Sequence, residues 1–416
     1  MRFLSWTGRP RSGGRAKATA AEIYVGVKPI APGALPEGFT LLQITPRLDG
    51  GGVERVTLDT ALAVTRAGGR CLVASEGGAL EAELAARGGE MVRLPVDSKN
   101  PLVIGANAGR LARLIRRERV SLIHVRSRAP AFSALAAGHA AGVPVVATYH
   151  GIYSARSAAK RWYNGVMTRG DLTIANSAFT RDHIVAEHHL AAERIALVSE
   201  GVDTDLFDPA RVSAQRVAAL RAGWGLAPGD RRPVLLIAAR LTGWKGQATM
   251  VEGLGQLKGG QDPWLVLAGK ARSADEAAQL RAVAERAGVA GRVRIVGAVG
   301  DMPAAYLAAD LVAAPSTLAE SFGRGVAEAG AMQRPVLASP LGGPAETIVH
   351  GETGWLVAAG DPAAWAAATD AALALAPGSR AAIGRAARAR VTRLYSLEAM
   401  TAATFAIYRR LAEGRR

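Results

Sequence analysis

At 416 residues, with 49% hydrophobic and 21% charged side chains, the chain has room for two domains with a core each, which excludes wholesale disorder. A formal charge of +16, from 51 Lys and Arg against 35 Asp and Glu, draws anions such as phosphorylated substrates or acidic lipid, although Arg used on solvated helices gives the same excess. Nucleic acid is disfavoured for want of a recognition motif or aromatic platform, and no uninterrupted apolar run approaches the roughly 18 residues of a membrane span.

Residues 1–38 are rich in Arg, Gly, Ala and Pro and lack the continuous apolar core of a secretory signal, so they read as a basic extension outside the fold. From Leu41 onward, short apolar runs alternate with amphipathic helices. The runs at 41–45, 71–74, 91–94, 122–125, 145–148, 172–175 and 195–198 are expected as strands of a first domain, 39–205. The single cysteine, Cys71, lies in the second of these runs and has no intrachain partner, which fits a reducing compartment. Residues 206–232, punctuated by Pro and Gly, read as a linker with one helix. A second series at 234–238, 264–268, 293–296, 311–314, 335–338 and 355–357 makes a second domain, 233–394, followed by a final helix and tail, 395–416. Such alternation specifies α/β architecture: two doubly wound, Rossmann-like parallel-sheet domains. Ligands of open parallel sheets bind beyond the C-terminal ends of the strands, so the chemistry is expected in a cleft between the two.

The residues that carry chemistry sit at those strand ends. Pro46 to Arg55 forms a glycine-rich loop with Gly50, Gly51 and Gly52 opening a helix, a weak signal by itself because many such loops are tight turns. His124 to Pro130 places Arg126 and Arg128 at the cleft rim, where they read as acceptor-phosphate ligands or as ordinary surface arginines. Thr148-Tyr149-His150-Gly151 ends the fifth run; a lone histidine there is more often structural than catalytic. Residues 153–167 mix Arg156, Lys160 and Arg161 with Tyr153, Trp162 and Tyr163, which suits either a surface resting on anionic lipid or a helix whose aromatics are core. Asp203-Thr204-Asp205 has the spacing of a metal-binding pair, but no cluster with metal-ligand spacing appears elsewhere.

In the second domain, Arg240 and Lys245 close the first strand, and 313–339 reads as strand, loop and helix, with the helix beginning near Ser321 and ending before Pro335. Gly323 and Gly325 leave room for an anion at that helix N-terminus. Glu320 and Glu328, roughly 12 Å apart if the segment is helical, bracket a ligand rather than share a proton.

The stretch with Glu320 and Glu328 resembles the double-glutamate signature of retaining glycosyltransferases of family 4, on the two-domain GT-B fold, and the resemblance extends over nearly all of 41–412. It implies that Glu320 contacts donor-sugar hydroxyls, Glu328 the nucleotide ribose, and Arg240 and Lys245 the donor diphosphate. It extends the donor site to Gly51, Gly52, Phe322 and Gly323, places His150 beside donor sugar and acceptor, and has the final helix cross back to the first domain. The Asp203 segment matches the family's exit from the first domain, so no metal and no other cofactor is expected. Gln333 stands where the family has glycine, which puts fine positioning in doubt.

The resemblance implies a hexosyltransferase that uses a nucleotide-sugar donor with retention of configuration. The acceptor would be a lipid-linked or surface saccharide, as in lipopolysaccharide or polysaccharide assembly, reached from the cytoplasmic face of an anionic membrane. A disaccharide synthase, a nucleotide-sugar epimerase and a basic membrane-binding protein with a degenerate site are the alternatives. Donor base, sugar, acceptor and oligomeric state are not legible in the chain.

Overall fold

Because their residues are apolar on both faces, the short runs can lie only inside a covered sheet, and a computed structural model describing residues 35–153 and 156–414 places them there. The basic extension read for 1–38 lies outside the described residues as far as residue 34. The first sheet holds β1 (Thr40–Ile44), β2 (Arg70–Ser75), β3 (Gly89–Arg93), β4 (Leu122–Val125), β5 (Val145–Tyr149), β6 (Leu172–Ala175) and β7 (Ile195–Leu197). The second holds β8 (Val234–Ala238), β9 (Trp264–Ala268), β10 (Val293–Gly297), β11 (Leu311–Ala314), β12 (Val336–Ala338) and β13 (Trp355–Leu356).

All pairings are parallel, in the orders β3-β2-β1-β4-β5-β6-β7 and β10-β9-β8-β11-β12-β13. Each order reverses direction beside its first strand, between β1 and β4 and between β8 and β11. At such a switch point the loops on adjacent strands diverge and leave a crevice, which fixes where ligands enter. The fold expected from the sequence, two doubly wound domains, is the fold observed.

Each sheet is covered by two apolar layers. In the first domain Leu42, Ile44, Ile123 and Val145 face one layer, while Leu41, Cys71, Val73 and Leu122 face the other. The Cys71 thiol accepts from Gln43 Nε2 at 3.3 Å, and burial pushes it up to about 12, so it stays a protonated apolar filler. Phe207, Trp224 and Leu226, from the segment read as a linker, belong to the core of the second domain, and the helix Ala214–Gly223 lies among them.

The chain crosses back to the first domain at Val202. Val202 N–H donates to the Tyr395 carbonyl, Leu397 N–H donates to the Val202 carbonyl, and Ser396 Oγ accepts from Ala399 N–H to start the final helix, Leu397–Glu413. That helix buries Met400, Phe405, Ile407 and Tyr408 in the first domain. The Tyr408 hydroxyl reaches His124 Nδ1 at 2.6 Å, and the other ring nitrogen of His124 meets Thr148 Oγ1 at 2.7 Å.

Glu346 and Ser321 of the second domain tie it to the first across the cleft. Glu346 of the second domain accepts from the backbone N–H groups of Ala178 and Phe179, at 2.9 and 2.8 Å, capping the helix Ala178–His188 of the first. Ser321 Oγ donates to the His150 carbonyl at 2.8 Å and receives Asn176 Nδ2 at 3.3 Å.

Tyr408→Phe strands a buried His124 nitrogen, and chemical denaturation is expected to show a loss of about 1–3 kcal/mol. Glu346→Ala removes both acceptors from the helix start. Small-angle X-ray scattering should then give a larger radius of gyration; an unchanged radius would show that this contact does not hold the domains together.

Candidate functional site

In the second domain the crevice beyond β8 and β11 is lined by Ile237, Lys245, Ser316, Glu320, Gly323 and Gly325. Two loops are knitted together to form it. The Thr317 N–H donates to the Trp244 carbonyl at 2.8 Å, and Gly246, at φ +73°, packs so closely on the Pro315 carbonyl that no Cβ fits there. Lys245 Nζ lies 2.9 Å from Glu320 Oε1, an oxygen that also receives the Ser316 hydroxyl, and both side chains of the pair are largely buried. The Lys245 ammonium also lies 4.4 Å from the Trp244 ring centroid. Arg240 is exposed, and among the described residues its side chain makes no hydrogen bond or ion pair.

The segment around Glu320 corrects the sequence reading. The helix starts at Arg324, not near Ser321, and runs Arg324–Ala331 with Gly323 in the left-handed region (φ +85°) as its cap. Glu320 is extended and paired with Gly342: its N–H donates to the Leu341 carbonyl, and its carbonyl accepts from Gly343 N–H. The helical spacing between the two glutamates therefore does not apply. Glu328 lies on the helix, where its carboxylate accepts from Tyr306 Oη at 3.0 Å and from Arg324 Nε at 2.8 Å.

Gly323 lines the crevice, and a Cβ on it would meet Pro344 Cγ at 2.8 Å, so this glycine serves the packing of the cap. Phe322, expected at the donor, is instead buried edge-on against Tyr395, with ring centroids 5.6 Å apart. Gln333 adopts a left-handed φ of +56°, so the turn keeps a conformation that favours glycine without having one.

Facing this crevice, the first domain presents the ends of β5, β6 and β7. His150 is nearly enclosed, its side chain 4% exposed; Nδ1 lies 3.4 Å from Glu200 Oε1, and Nε2 is buried with no hydrogen-bond partner among the described residues. Burial lowers the His150 pKa, a trend opposed by Glu200. Asn176 Nδ2 donates to Glu200 Oε1 at 2.9 Å. Gly51 caps the helix Gly52–Arg66, both glycines are exposed, and the charge of Glu54 in its first turn acts on His150.

Arg126 is not at the rim, as the sequence suggested, but buried: Nε donates to Gln43 Oε1 and Nη2 to Thr60 Oγ1, both at 2.8 Å. Arg128 is half-buried, donating to Asn164 Oδ1 at 2.7 Å, with its guanidinium 3.9 Å from the Tyr153 ring centroid. Asp203 Oδ1 accepts from the N–H groups of Asp205 and Leu206, a turn cap, and among the described residues no group of acidic, His or Cys side chains has the arrangement to hold a metal.

Sequence reasoning missed Glu200, Asn176, Ser321 and Arg324. Their one signal was position, each lying just after a strand or at a helix start facing the cleft.

Residues 50–206 match the family described as Glycosyltransferase Family 4, and residues 224–390 the family described as Glycosyl transferases group 1. A crystal structure of a glycosyltransferase from Rickettsia africae ESF-5 is similar over 90% of this chain and 99% of its own, with a TM-score of 0.83 and 30% identity. Anabaena HepE, solved in complex with UDP and glucose, is similar over 87% of this chain and 97% of its own, with a TM-score of 0.76 and 25% identity. The D-inositol 3-phosphate glycosyltransferase of Xylanimonas cellulosilytica is 35% identical over 247 residues, a match taking in 58% of each chain, so less than two thirds of that relative's length is spanned. The chain is a glycosyltransferase of the GT-B fold, its first domain belonging to Glycosyltransferase Family 4 and its second to the glycosyl transferases group 1.

Proposed function

We propose that the enzyme transfers a hexose from a nucleoside diphosphate sugar to a lipid-linked or surface-saccharide acceptor, with retention of configuration, in the assembly of lipopolysaccharide or another polysaccharide. The observation that carries this reading is the Lys245–Glu320 pair, held in the crevice of the second domain beside the start of the helix Arg324–Ala331, with Arg240 free nearby. An enclosed cation, an unpaired arginine and a helix N-terminus together suit a diphosphate, and the Glu320 carboxylate suits sugar hydroxyls. Glu328, anchored by Tyr306 and Arg324, takes the ribose on this reading. The HepE structure, with UDP and glucose bound, supports a donor of this class.

On this reading the bond from the sugar C1 to the diphosphate breaks while the acceptor oxygen bonds to C1 on the same face. The acceptor proton passes to an oxygen of the leaving diphosphate, so no side-chain nucleophile is needed. Arg240, Lys245 and the helix N-terminus stabilise the charge that builds on the leaving group, a role that a metal would otherwise fill, so turnover is expected to persist in EDTA.

Acceptors carrying phosphate are a natural class to test, given the relatives named for inositol 3-phosphate. A membrane setting draws support from the segment after Tyr153. Arg156 and Lys160 are exposed, Arg161 is exposed with Glu187 at 3.7 Å, and Trp162 is 60% exposed while packing on Phe132. The Arg169 guanidinium stacks over that indole at 4.7 Å. Among the described residues no helix is long and apolar enough to cross a membrane, so attachment would be by charge and interfacial aromatics at the cytoplasmic face.

A panel of uridine and guanosine donors, followed by nucleotide release with saccharide, lipid-linked and phosphorylated acceptors, tests the reaction. Arg240→Ala and Lys245→Ala are expected to fold normally and to lose about 100-fold or more in turnover; near-normal rates would overturn the diphosphate assignment. Anionic vesicles should sediment the protein at low salt, with each basic side chain near the surface worth about 1 kcal/mol. Binding should weaken when Arg156, Lys160 and Arg161 are replaced by glutamine, and equal binding to neutral vesicles would remove the membrane role.

A further inference from the structure

The ends of three adjacent strands bring together side chains that the transfer chemistry above does not use. His150 follows β5, Asn176 follows β6 and Glu200 follows β7, so strand order alone places them side by side at the cleft. Glu200 is a nearly buried carboxylate whose direct side-chain partners are His150 Nδ1 at 3.4 Å and Asn176 Nδ2 at 2.9 Å. Burial works against its charge, but the hydrogen bonds from His150 and Asn176, with the nearby Arg324 guanidinium, outweigh burial and hold it ionised.

An ionised carboxylate only accepts, so the imidazole nitrogen facing it must carry the proton. Burial lowers the His150 pKa and so favours the neutral ring; with its one proton on Nδ1, Nε2 is left as a bare lone pair. Nε2 is buried and has no partner among the described residues, and a polar atom in that state invites a ligand atom.

Neither neighbouring arginine is seen bonding to Glu200 directly among the described residues. Arg126 feels its charge but donates to Gln43 and Thr60 instead, and Arg324 Nε is committed to Glu328. The backbone is held as well, since Ser321 of the second domain donates to the His150 carbonyl and receives Asn176, the same amide that grips Glu200.

We infer that Glu200 is a positioning residue for His150: through Nδ1 it fixes the tautomer and ring orientation in which Nε2 accepts a hydrogen bond from a hydroxyl of the bound sugar. The ligand part rests on the transferase reading above; the tautomer does not. Glu200 touches no reacting atom, and its effect on the rate passes through the imidazole.

Two substitutions separate reach from charge. Glu200→Gln keeps the length and an acceptor oxygen but loses the charge; Glu200→Asp keeps the charge but withdraws it by one methylene. The full chain is labelled with 15N-histidine, the His150 signals are assigned by their loss in His150→Gln, and turnover is measured on the best donor.

The wild type should show a protonated Nδ1 and a bare Nε2. Asn176 Nδ2 and His150 Nδ1 share Glu200 Oε1, so in Glu200→Gln the Asn176 donor should hold the amide oxygen toward Nδ1 and keep that pattern and most of the turnover, whereas Glu200→Asp should shift the proton toward Nε2 and lose about 10- to 100-fold in kcat, the scale of losing a group that orients a histidine. A proton on Nε2 in the wild type, or Glu200→Gln losing more turnover than Glu200→Asp, would overturn the inference. If no nucleotide sugar is turned over, the transferase reading fails while the nitrogen spectra still decide what Glu200 does.

Discussion

Ser321 is where the two halves of the site meet. Its hydroxyl donates to the His150 carbonyl and accepts from Asn176, so one side chain on the loop of Glu320 sets the distance between the crevice of the second domain and the histidine of the first. A hydroxyl can do both because it carries a donor and lone pairs. The neighbouring Glu346 bonds add a charge-assisted contact to a helix N-terminus, at a point where the first domain has unpaired N–H groups to offer. Everything proposed for the site depends on this closed register, since neither domain holds both the Lys245–Glu320 pair and His150.

The loop itself is shaped by long-range backbone pairing. Glu320 is held extended by Gly342 and Gly343, and Gly342, at φ +82°, passes so close to the Glu320 carbonyl that a side chain there would collide with it. The carboxylate thereby turns toward Ser316 and Lys245 instead of riding on the helix. Glu328, on the helix, is locked by Tyr306 and Arg324. Two glutamates eight residues apart thus occupy different kinds of backbone, one extended and one helical.

Buried charge follows the same logic in the first domain. The Arg126 guanidinium lies inside the domain on neutral acceptors, Gln43 and Thr60, and Glu200 is a buried carboxylate held by His150 and Asn176. Placing ionised groups out of water costs several kcal/mol each unless their hydrogen bonds are met. Both groups lie just beyond parallel strands, Arg126 after β4 and Glu200 after β7.

Strand positions were legible in the chain because a run such as Val234–Ala238, apolar on both faces, has few places to go but the middle of a covered parallel sheet, and the alternation with helices then sets the doubly wound order. His150 stood out because ligands of parallel sheets gather where the strands stop, whereas the roles expected of Lys245, Glu320 and Glu328 came from the resemblance to the family's motifs. What the chain could not show were partners far away in sequence. Arg126 looked like a rim residue because nothing local reveals Gln43 and Thr60 waiting 83 and 66 residues earlier. Phe322 and Ser321 looked like parts of a helix start, yet Tyr395 and Gly342 decide otherwise. Sequence alone determined the two sheets, since burial and periodicity are local properties of a run. Only the tertiary structure decided which side chains face the cleft, because that depends on contacts between segments whose spacing along the chain carries no trace of their distance in space.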